Sequence, residues 1–273
     1  MEKEQKLFLL KPAVFKKIWG SERWLLSTMQ GASSFYYDKN EISSVNSIFC
    51  KPFPILIKII EANETLSVQV HPGDEYALEN ENSVGKTECW YVLYAKPNSV
   101  IVTGFKNNLS KEEIYLSIKE NRIESYLAEF PVEKGDLIFI PAGTVHAIKG
   151  GLKLLEIQQA SDITYRLYDW GRNRELHIEK ALNVIKNCFS EPIKSFSGIF
   201  KCDYFSIEKQ EVNGIQSINI PNDWIFLFII DGSGSIKCDS EKIKVTKDSA
   251  ILIAPNAKIQ ISGKVSFLKI YSK

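Results

Sequence analysis

The chain has 273 residues, of which 44% are hydrophobic and 11% aromatic, enough for a packed core in one large or two modest domains. Its 34 Lys and Arg residues balance 33 Asp and Glu residues, and the net charge of +1 argues against nucleic acid or an anionic membrane as a partner. The charged N-terminal segment and the lack of any run of ~20 apolar residues predict neither a signal peptide nor a membrane helix. The five scattered cysteines, without a CxxC pair, indicate free thiols and a cytoplasmic location.

Apolar alternation predicts a mainly β first part with few helices. The predicted strands are Pro54 to Ile60, Thr65 to Val70, Cys89 to Tyr94, Val100 to Gly104, Leu137 to Pro141 and Leu152 to Gln159. The predicted helices are Asp74 to Asn80, Ser110 to Lys119 with Ser110 as the N-cap, and the amphipathic segment His177 to Lys186.

Short strands at close spacing follow Asn187 and predict a separate all-β domain at the C-terminal end. They are Tyr204 to Ile207, Gln216 to Ile220, Trp224 to Ile230, Lys242 to Val245, Ala250 to Ile253, Ile259 to Ile261 and Phe267 to Tyr271. Within them, KDSAILIAPNAKI echoes KGDLIFIPAGTVHAI of the first part, which indicates a repeated architecture. We therefore predict two jelly-roll β-barrels with a few covering helices: residues 1–190 with the functional site, and residues 191–273, which lack a histidine at the repeated position and are expected to hold no metal.

Polar side chains of metal-ligating type occur in or close to three of the predicted strands. Alternation places Ser67, Gln69 and His71 on one face of the strand in TLSVQVHP. Glu88 lies in the apolar segment KTECWYVLY, and His146 closes GDLIFIPAGTVH. Two imidazoles, a carboxylate and a neutral oxygen donor suit Zn²⁺ or another borderline divalent ion. The sequence thus predicts one metal site in the first barrel.

Each of these residues has a simpler interpretation when taken alone. His71 can be a hydrogen-bonded core histidine, and Glu88 can face water from an edge strand. Taken together, the three motifs favour a common site over three separate coincidences. His177, at the start of a helix, is interpreted as a surface residue.

Four segments in the order of one known family carry a resemblance. GDLIFIPAGTVH is similar to the second cupin motif, and LSVQVHPGDEYA, GKTECWYVL and LLEIQQASDITYRLYDWGR together resemble type I mannose-6-phosphate isomerases of the short bacterial form. The opening LKPAVFKKIWG fits the same family, but the chain lacks the helical insertion of longer members. The resemblance implies a cupin fold and a cytoplasmic enzyme of carbohydrate metabolism. Such an enzyme would interconvert mannose 6-phosphate and fructose 6-phosphate through an enediol, with one Zn²⁺ per chain.

The resemblance also implies roles for individual residues. The family's ligands match Gln69, His71, Glu88 and His146, and its essential arginine matches Arg166. Its substrate-lining residues match Ser67, Lys86 and Trp19, and its proposed proton carrier matches Glu156. From the residues themselves, Glu156 can instead orient a ligand or Arg166, Lys86 can be a solvated turn residue, and Trp19 can be a core aromatic. Arg166 can instead pair with Asp162 or Asp169, and Arg172 and Arg174 are alternative phosphate contacts.

Two other functions remain as alternatives at this stage, since a fold alone does not fix a function. One is an iron-dependent cupin oxygenase, whose site would normally carry more histidines. The other is a non-catalytic phosphosugar-binding cupin. The expected partner in either the isomerase or the binding protein is a small sugar phosphate, and the chain is expected to be a monomer or a homodimer.

Overall fold

The computed structural model describes residues 5–38 and 41–273, and strands dominate it. The strands are β1 (Leu7–Lys11), β2 (Ala13–Lys17), β3 (Gly20–Leu26), β4 (Phe35–Asp38), β5 (Glu41–Ser44), β6 (Ile55–Ala62), β7 (Val68–Val70), β8 (Glu88–Ala95), β9 (Val100–Phe105), β10 (Leu127–Pro131), β11 (Leu137–Ile140), β12 (His146–Ile148), β13 (Leu152–Gln159), β14 (Tyr165–Tyr168), β15 (Gly198–Lys201), β16 (Phe205–Asn219), β17 (Ile225–Cys238), β18 (Glu241–Thr246), β19 (Ala250–Ile253) and β20 (Lys258–Ser272). The helices are α1 (Asp74–Glu81), α2 (Lys111–Lys119), α3 (Ile123–Tyr126) and α4 (Ile178–Val184), with a 3-10 turn at Val45–Ser47. The mainly β prediction is confirmed.

The described residues form two compact units, and each unit is built from segments that are separated along the chain. The first unit contains the residues up to Ala13, those from Trp24 to Ile55, and those from Ser197 to Lys273. The second contains Val14–Arg23 and Leu56–Phe196. The division into domains of residues 1–190 and 191–273 stays a prediction.

The second unit contains two sheets with a core between them. One sheet has the strand order β10-β9-β12-β7-β14, and the other has the order β11-β8-β13-β6-β3-β2. Apolar side chains from both sheets share one cluster, including Ile101 and Ile148 of the first sheet and Trp90 and Leu154 of the second. The opposite face of the first sheet packs against α2, α3 and α4. Inward side chains of the two sheets therefore face a common interior.

The first unit contains one nine-stranded sheet with an apolar core of its own. The order is β15-β16-β20-β17-β19-β1-β4-β5, with β18 paired to β17. Residues from β1 and from β16 to β20 share one apolar cluster. Gly214, Gly263 and Gly234 lie opposite one another on the long strands β16, β20 and β17. A Cβ at Gly263 would lie 2.4 Å from the Ser233 carbonyl oxygen, so this close approach requires glycine.

The sequence echo has a counterpart in the backbone of each unit. In the second unit, Gly135 has a φ of 99° two residues before β11, and its N–H donates to Val92 O at 2.9 Å. In the first unit, Asp248 has a φ of 68° two residues before β19, and its N–H donates to Ile229 O at 2.9 Å. The N–H groups of Val92 and Ile229 donate back to the residues after these turns, Asp136 and Ser249. The two segments therefore form the same turn and strand.

Several sequence expectations need correction. The strands predicted at Tyr204 to Ile207 and Gln216 to Ile220 are parts of one strand, β16, and those at Ile259 to Ile261 and Phe267 to Tyr271 are parts of β20. The cause is that the middle of each strand is polar and contains glycine, which resembles a turn. No sheet closes into a full barrel among the described strands. No helix in the described part of the chain is long and apolar enough to cross a membrane.

We expect Gly104→Ala to destabilise the second unit much more than Gly171→Ala. Both glycines have nearly the same left-handed φ, 76° and 77°, so either alanine costs about 1–2 kcal/mol of backbone strain. A Cβ at Gly104 would also lie 2.4 Å from Cys188 O, whereas none of the described atoms lies within 4 Å at Gly171. The crowding adds about 1–3 kcal/mol to the loss in the free energy of unfolding. Urea unfolding monitored by circular dichroism measures the loss in each variant. Equal losses in the two variants would contradict the packing described for Gly104.

Candidate metal centre

Three metal-ligating side chains meet in the interior of the second unit. His146 and Glu88 are the first residues of β12 and β8, and His71 follows directly after β7. One candidate ligand atom of each lies within 4.8 Å of the others, and all three side chains are buried. Because β7 and β12 are in one sheet and β8 in the other, the group bridges the two sheets.

The Glu88 carboxylate lies between the two imidazoles. Its Oε1 is 3.3 Å from His146 Nε2, and its Oε2 is 3.5 Å from His71 Nε2. Within residues 5–38 and 41–273, His71 Nε2 and both Glu88 oxygens have no hydrogen-bond partner. Buried polar atoms without a partner are rare because each loses the hydrogen bonds it would make to water. A bound cation fits these convergent lone pairs. Glu88 is not the water-facing edge residue of the alternative interpretation, since it is buried.

Both imidazoles are held neutral. Burial, reinforced by the charge of Lys86, lowers the pKa of His71 well below its usual value. Burial lowers the pKa of His146 to about 4, and a hydrogen bond to the Thr144 carbonyl opposes this only in part. That bond, 2.9 Å long, uses Nδ1 and leaves the lone pair on Nε2, which faces Glu88. His146 is therefore in the tautomer that a metal ligand needs.

Gln69 lies beside the three-residue group. It pairs with His146 across β7 and β12, and its amide nitrogen is 3.3 Å from His146 Nε2. Its Oε1 accepts a hydrogen bond of 3.4 Å from Ser67 Oγ. The two ends of an amide exchange by a simple rotation, so either can point toward the histidine. The predicted fourth ligand is thus adjacent to His146, one of the other three.

A row of alternating charge crosses β13, β6 and β3, which are neighbours in the six-stranded sheet. Lys58 Nζ lies 3.1 Å from Glu156 Oε2 and 3.9 Å from Glu22 Oε1, and all three residues are buried. Burial alone would lower the pKa of Lys58, but the charges of Glu156, Glu22 and Glu88 outweigh it and raise the pKa above its ordinary value. Lys58 is therefore a permanent cation between two carboxylates.

Lys58 and Glu22 are not among the site residues predicted from the sequence. The signal for Lys58 was present: it is the single charged residue in the apolar run Ile55–Ile60, and a lysine is rarely fully buried unless it is paired. The run contains no acidic partner for Lys58, because Glu22 and Glu156 lie far away along the chain. The partner became visible only with the strand order of the sheet.

Glu156 and Lys86 flank Glu88. Lys86 Nζ is 3.7 Å from Glu88 Oε2. Burial lowers the pKa of Lys86, although the charge of Glu88 opposes the shift. Burial and then the charge of Glu88 raise the pKa of Glu156 to about 7. Lys86 is 4% exposed, so it is not a solvated turn residue.

Arg166 lies in line with two of the candidate ligands across three neighbouring strands, β14, β7 and β12. It pairs with Gln69 across β14 and β7, and Gln69 in turn pairs with His146. Its Nη1 donates to Glu175 O at 2.6 Å, while its buried Nε has no hydrogen-bond partner among the described residues. A buried guanidinium N–H without an acceptor is a candidate donor to a bound anion.

Asp169 is not the partner of Arg166 that one interpretation suggested. It is buried and accepts hydrogen bonds from Arg172 Nη2 at 2.8 Å and from Arg174 Nη2 at 2.6 Å. Burial by itself raises the pKa of Asp169, but the hydrogen bond and charge of Arg174, followed by the charge of Arg172, lower it overall. Asp169 thus holds both arginines, through Nη2 of Arg172 and through Nε and Nη2 of Arg174.

Ser67 and Trp19 have different surroundings. Ser67 is buried, and its hydroxyl contacts Gln69. Trp19 is 5% exposed and belongs to the apolar cluster that also contains Trp90, whose ring packs edge-on against His146 at 5.5 Å. This packing supports the core interpretation of Trp19, and its contact with a sugar stays a prediction. His177, interpreted as a surface residue, is instead half-buried, and its Nδ1 accepts a 3.2 Å hydrogen bond from the Arg166 N–H.

Comparison with known proteins gives consistent results. The family model "Mannose-6-phosphate isomerase, cupin domain" matches residues 197–272, which supports the expected cupin-type fold. The mannose-6-phosphate isomerase of Streptococcus mutans is 35% identical over 236 residues, covering 81% of this chain and 74% of that protein. The crystal structure of the mannose 6-phosphate isomerase from Bacillus subtilis has a TM-score of 0.84 and 26% identity, covering 97% of this chain and 99% of that chain. A mannose 6-phosphate isomerase bound with zinc and yttrium has a TM-score of 0.75 and 14% identity, covering 98% of this chain and 100% of that chain, which shows a shared fold.

We expect Glu88→Gln to weaken the binding of a divalent ion, because it removes the only anionic member of the three-residue group. Changes outside the ligand shell of a metal cost about 10–100-fold in affinity, so the loss of a ligand charge should cost at least that much. Equilibrium dialysis of metal-free protein against Zn²⁺, followed by elemental analysis, measures the effect. Glu22→Gln is the matched control, since it removes a buried carboxylate that lies on the far side of Lys58 from Glu156. Equal Zn²⁺ affinity of the Glu88 variant and the unmodified protein would rule out this site.

Proposed function

Because the chain belongs to the mannose-6-phosphate isomerase family, we propose that it interconverts mannose 6-phosphate and fructose 6-phosphate at the site around His71, Glu88 and His146. The observation that carries the proposal is the convergence of these buried residues in the interior of the second unit. Neutral imidazoles beside a carboxylate suit a divalent metal, and the buried lysines and Arg166 suit an anionic sugar.

We propose one Zn²⁺ per chain, held by Gln69, His71, Glu88 and His146. Two nitrogen donors and two oxygen donors fit this ion. Support also comes from the charge balance of the interior. Glu22, Glu88 and Glu156 carry three negative charges and Lys58 and Lys86 two positive ones, so the buried set has a net charge of −1 when Glu156 is ionised. A divalent cation changes this to +1, and the half-buried Arg166 raises it to +2, which balances a phosphate dianion.

The conversion of an aldose into a ketose moves a proton between C2 and C1 through an enediol. It needs a base near the carbon-bound proton and positive charge near the oxygens. When bound, zinc supplies Lewis acidity that polarises the substrate oxygens. Glu156 is the proposed base, because burial raises the pKa of its carboxyl toward neutral pH, where it can both accept and return a proton. Lys58 positions this carboxylate through their 3.1 Å ion pair.

The anionic part of the substrate has three proposed contacts. The buried Nε of Arg166 offers an N–H without an internal acceptor. Lys86 provides a compact charge beside Glu88, and Ser67 a hydroxyl next to Gln69. Trp19 is proposed to line the sugar pocket from the adjacent core. Arg172 and Arg174 are not proposed as contacts of the substrate at the metal centre, since Asp169 holds both side chains beside it.

The activity test is a coupled assay of fructose 6-phosphate formation from mannose 6-phosphate. We expect a chelator to abolish turnover and added Zn²⁺ to restore it, because the site then lacks its electrophile. Magnesium serves as the control ion, since it prefers an all-oxygen ligand set. Full turnover by metal-free protein would refute the metal-dependent mechanism. Iron content with oxygen consumption, or sugar-phosphate binding without turnover, would instead favour one of the two alternative functions.

Glu156→Gln should lower kcat by at least about a hundredfold, because the amide cannot accept the C2 proton. The diagnostic measurement is the loss of deuterium incorporation at C2 of mannose 6-phosphate in D₂O, followed by NMR. Glu22→Gln is the matched control: it removes the carboxylate on the other side of Lys58, which touches no proposed reacting atom. Undiminished exchange in the Glu156 variant would assign proton transfer to another group.

A further inference from the structure

A second cavity lies in the second unit, at the opposite ends of strands that carry candidate metal ligands. Its volume is about 750 Å³, and Lys96 and Lys149 contribute to its walls. Lys96 directly follows β8, which begins at Glu88, and Lys149 directly follows β12, which begins at His146. At 3.3 Å per residue, the eight residues of β8 span about 26 Å and the three residues of β12 about 10 Å. None of the candidate metal ligands lines the cavity. The cavity is therefore separate from the metal centre.

Arg172 presents a fixed guanidinium to this cavity. Its Nη2 donates to Thr65 O and to Asp169 Oδ1, both at 2.8 Å, and its Nε donates to Asp169 O at 3.1 Å. Its Nη1 has no hydrogen-bond partner within the described ranges. An arginine held in this way loses little side-chain entropy when a ligand binds its free edge. The free edge is thus suited to an anionic oxygen.

Lysines and neutral polar groups complete the lining. The ammonium of Lys149 lies 4.9 Å from the centre of the Trp170 ring and 2.6 Å from Glu129 Oε1, so this lysine shares its charge with an acid. Lys96 is exposed and has no ion pair in the described structure. Asn63, Asn98 and Ser99 supply amide and hydroxyl groups. Glu64 is the one acidic residue of the lining, against three cations.

Trp170 gives the cavity an ordered wall. Its φ of 54° is unusual for a bulky residue, and its indole N–H donates to Leu66 O at 2.6 Å. A strained residue persists only where surrounding contacts hold it, and such residues concentrate at binding sites. The volume also falls within the range of about 300–1,000 Å³ for small-molecule sites.

We propose that this cavity binds a small phosphate monoester that carries hydroxyl groups, at a site separate from the metal centre. Arg172 Nη1 and Lys96 contact the phosphate, with Lys149 released in part from Glu129. The asparagine amides and Ser99 contact the hydroxyl groups. The proposal concerns a second site and is independent of the reaction at the first.

The test uses the full chain and glycerol 3-phosphate as the probe, measured by isothermal titration calorimetry. The double variant Lys96→Gln/Lys149→Gln should bind the probe at least tenfold more weakly than the unmodified protein. Lys134→Gln is the matched control, since this exposed lysine lies outside the cavity lining, and it should leave the affinity unchanged. Arg166→Ala, a change at the metal centre, should also leave this binding event unchanged.

Two outcomes would overturn the proposal. One is the absence of measurable binding at millimolar probe. The other is binding that survives the double lysine substitution but is lost in Arg166→Ala, which would place the probe at the metal centre alone. Thermal melts of all variants check that each is folded, and Arg172→Lys, which keeps the charge but not the fork, should weaken binding as a second variant. Loss of isomerase activity in any preparation does not bear on this result.

Discussion

The second unit depends on the balance of charge in its interior. Five ionisable side chains, Glu22, Lys58, Lys86, Glu88 and Glu156, are each less than 9% exposed, and isolated charges in such a place would be strongly unfavourable. They are tolerated because the strand order β13-β6-β3 places Glu156, Lys58 and Glu22 side by side, and because Lys86 lies beside Glu88. The same arrangement shifts pKa values apart: Lys58 stays charged, whereas Glu156 is poised near neutrality. The same contacts between charged side chains therefore make their burial tolerable and set the pKa values at the site.

The candidate ligands were predictable from sequence because local geometry controls them. Alternation along one strand puts Gln69 and His71 on the same face, and the structure confirms that Val68 and Val70 pack into the apolar cluster on the other face. Glu88 stood out as an acid within an apolar segment, and it is buried as that pattern suggested. Chemistry that is encoded in a few consecutive residues can be found without a structure.

Features that join distant segments were not predictable in this way. The contact between Lys58 and Glu156 requires that β6 and β13 be neighbours, which no local pattern indicates. β12 and β14 have only three and four residues, too few for a periodic signal, yet they carry His146 and Arg166. Conversely, β16, β17 and β20 are long, but their polar, glycine-containing stretches resemble turns. Pairing with a neighbour, rather than local preference, keeps these stretches extended.

The repeated turn and strand has a consequence for how the two units can change over evolutionary time. Three residues after a left-handed residue, the second unit has His146, and the first unit has Ile259, which packs in its apolar cluster. The backbone hydrogen bonds that define the segment use no side chain, so they persist whichever residue follows. Substitutions in the apolar copy are then limited mainly by volume, whereas those in the ionisable copy must also preserve a sum of charges. The sequence of the apolar copy in the first unit should therefore change more freely than that of the ionisable copy in the second unit. Its substitutions should also be compensated more often by a change in the size of a neighbouring side chain.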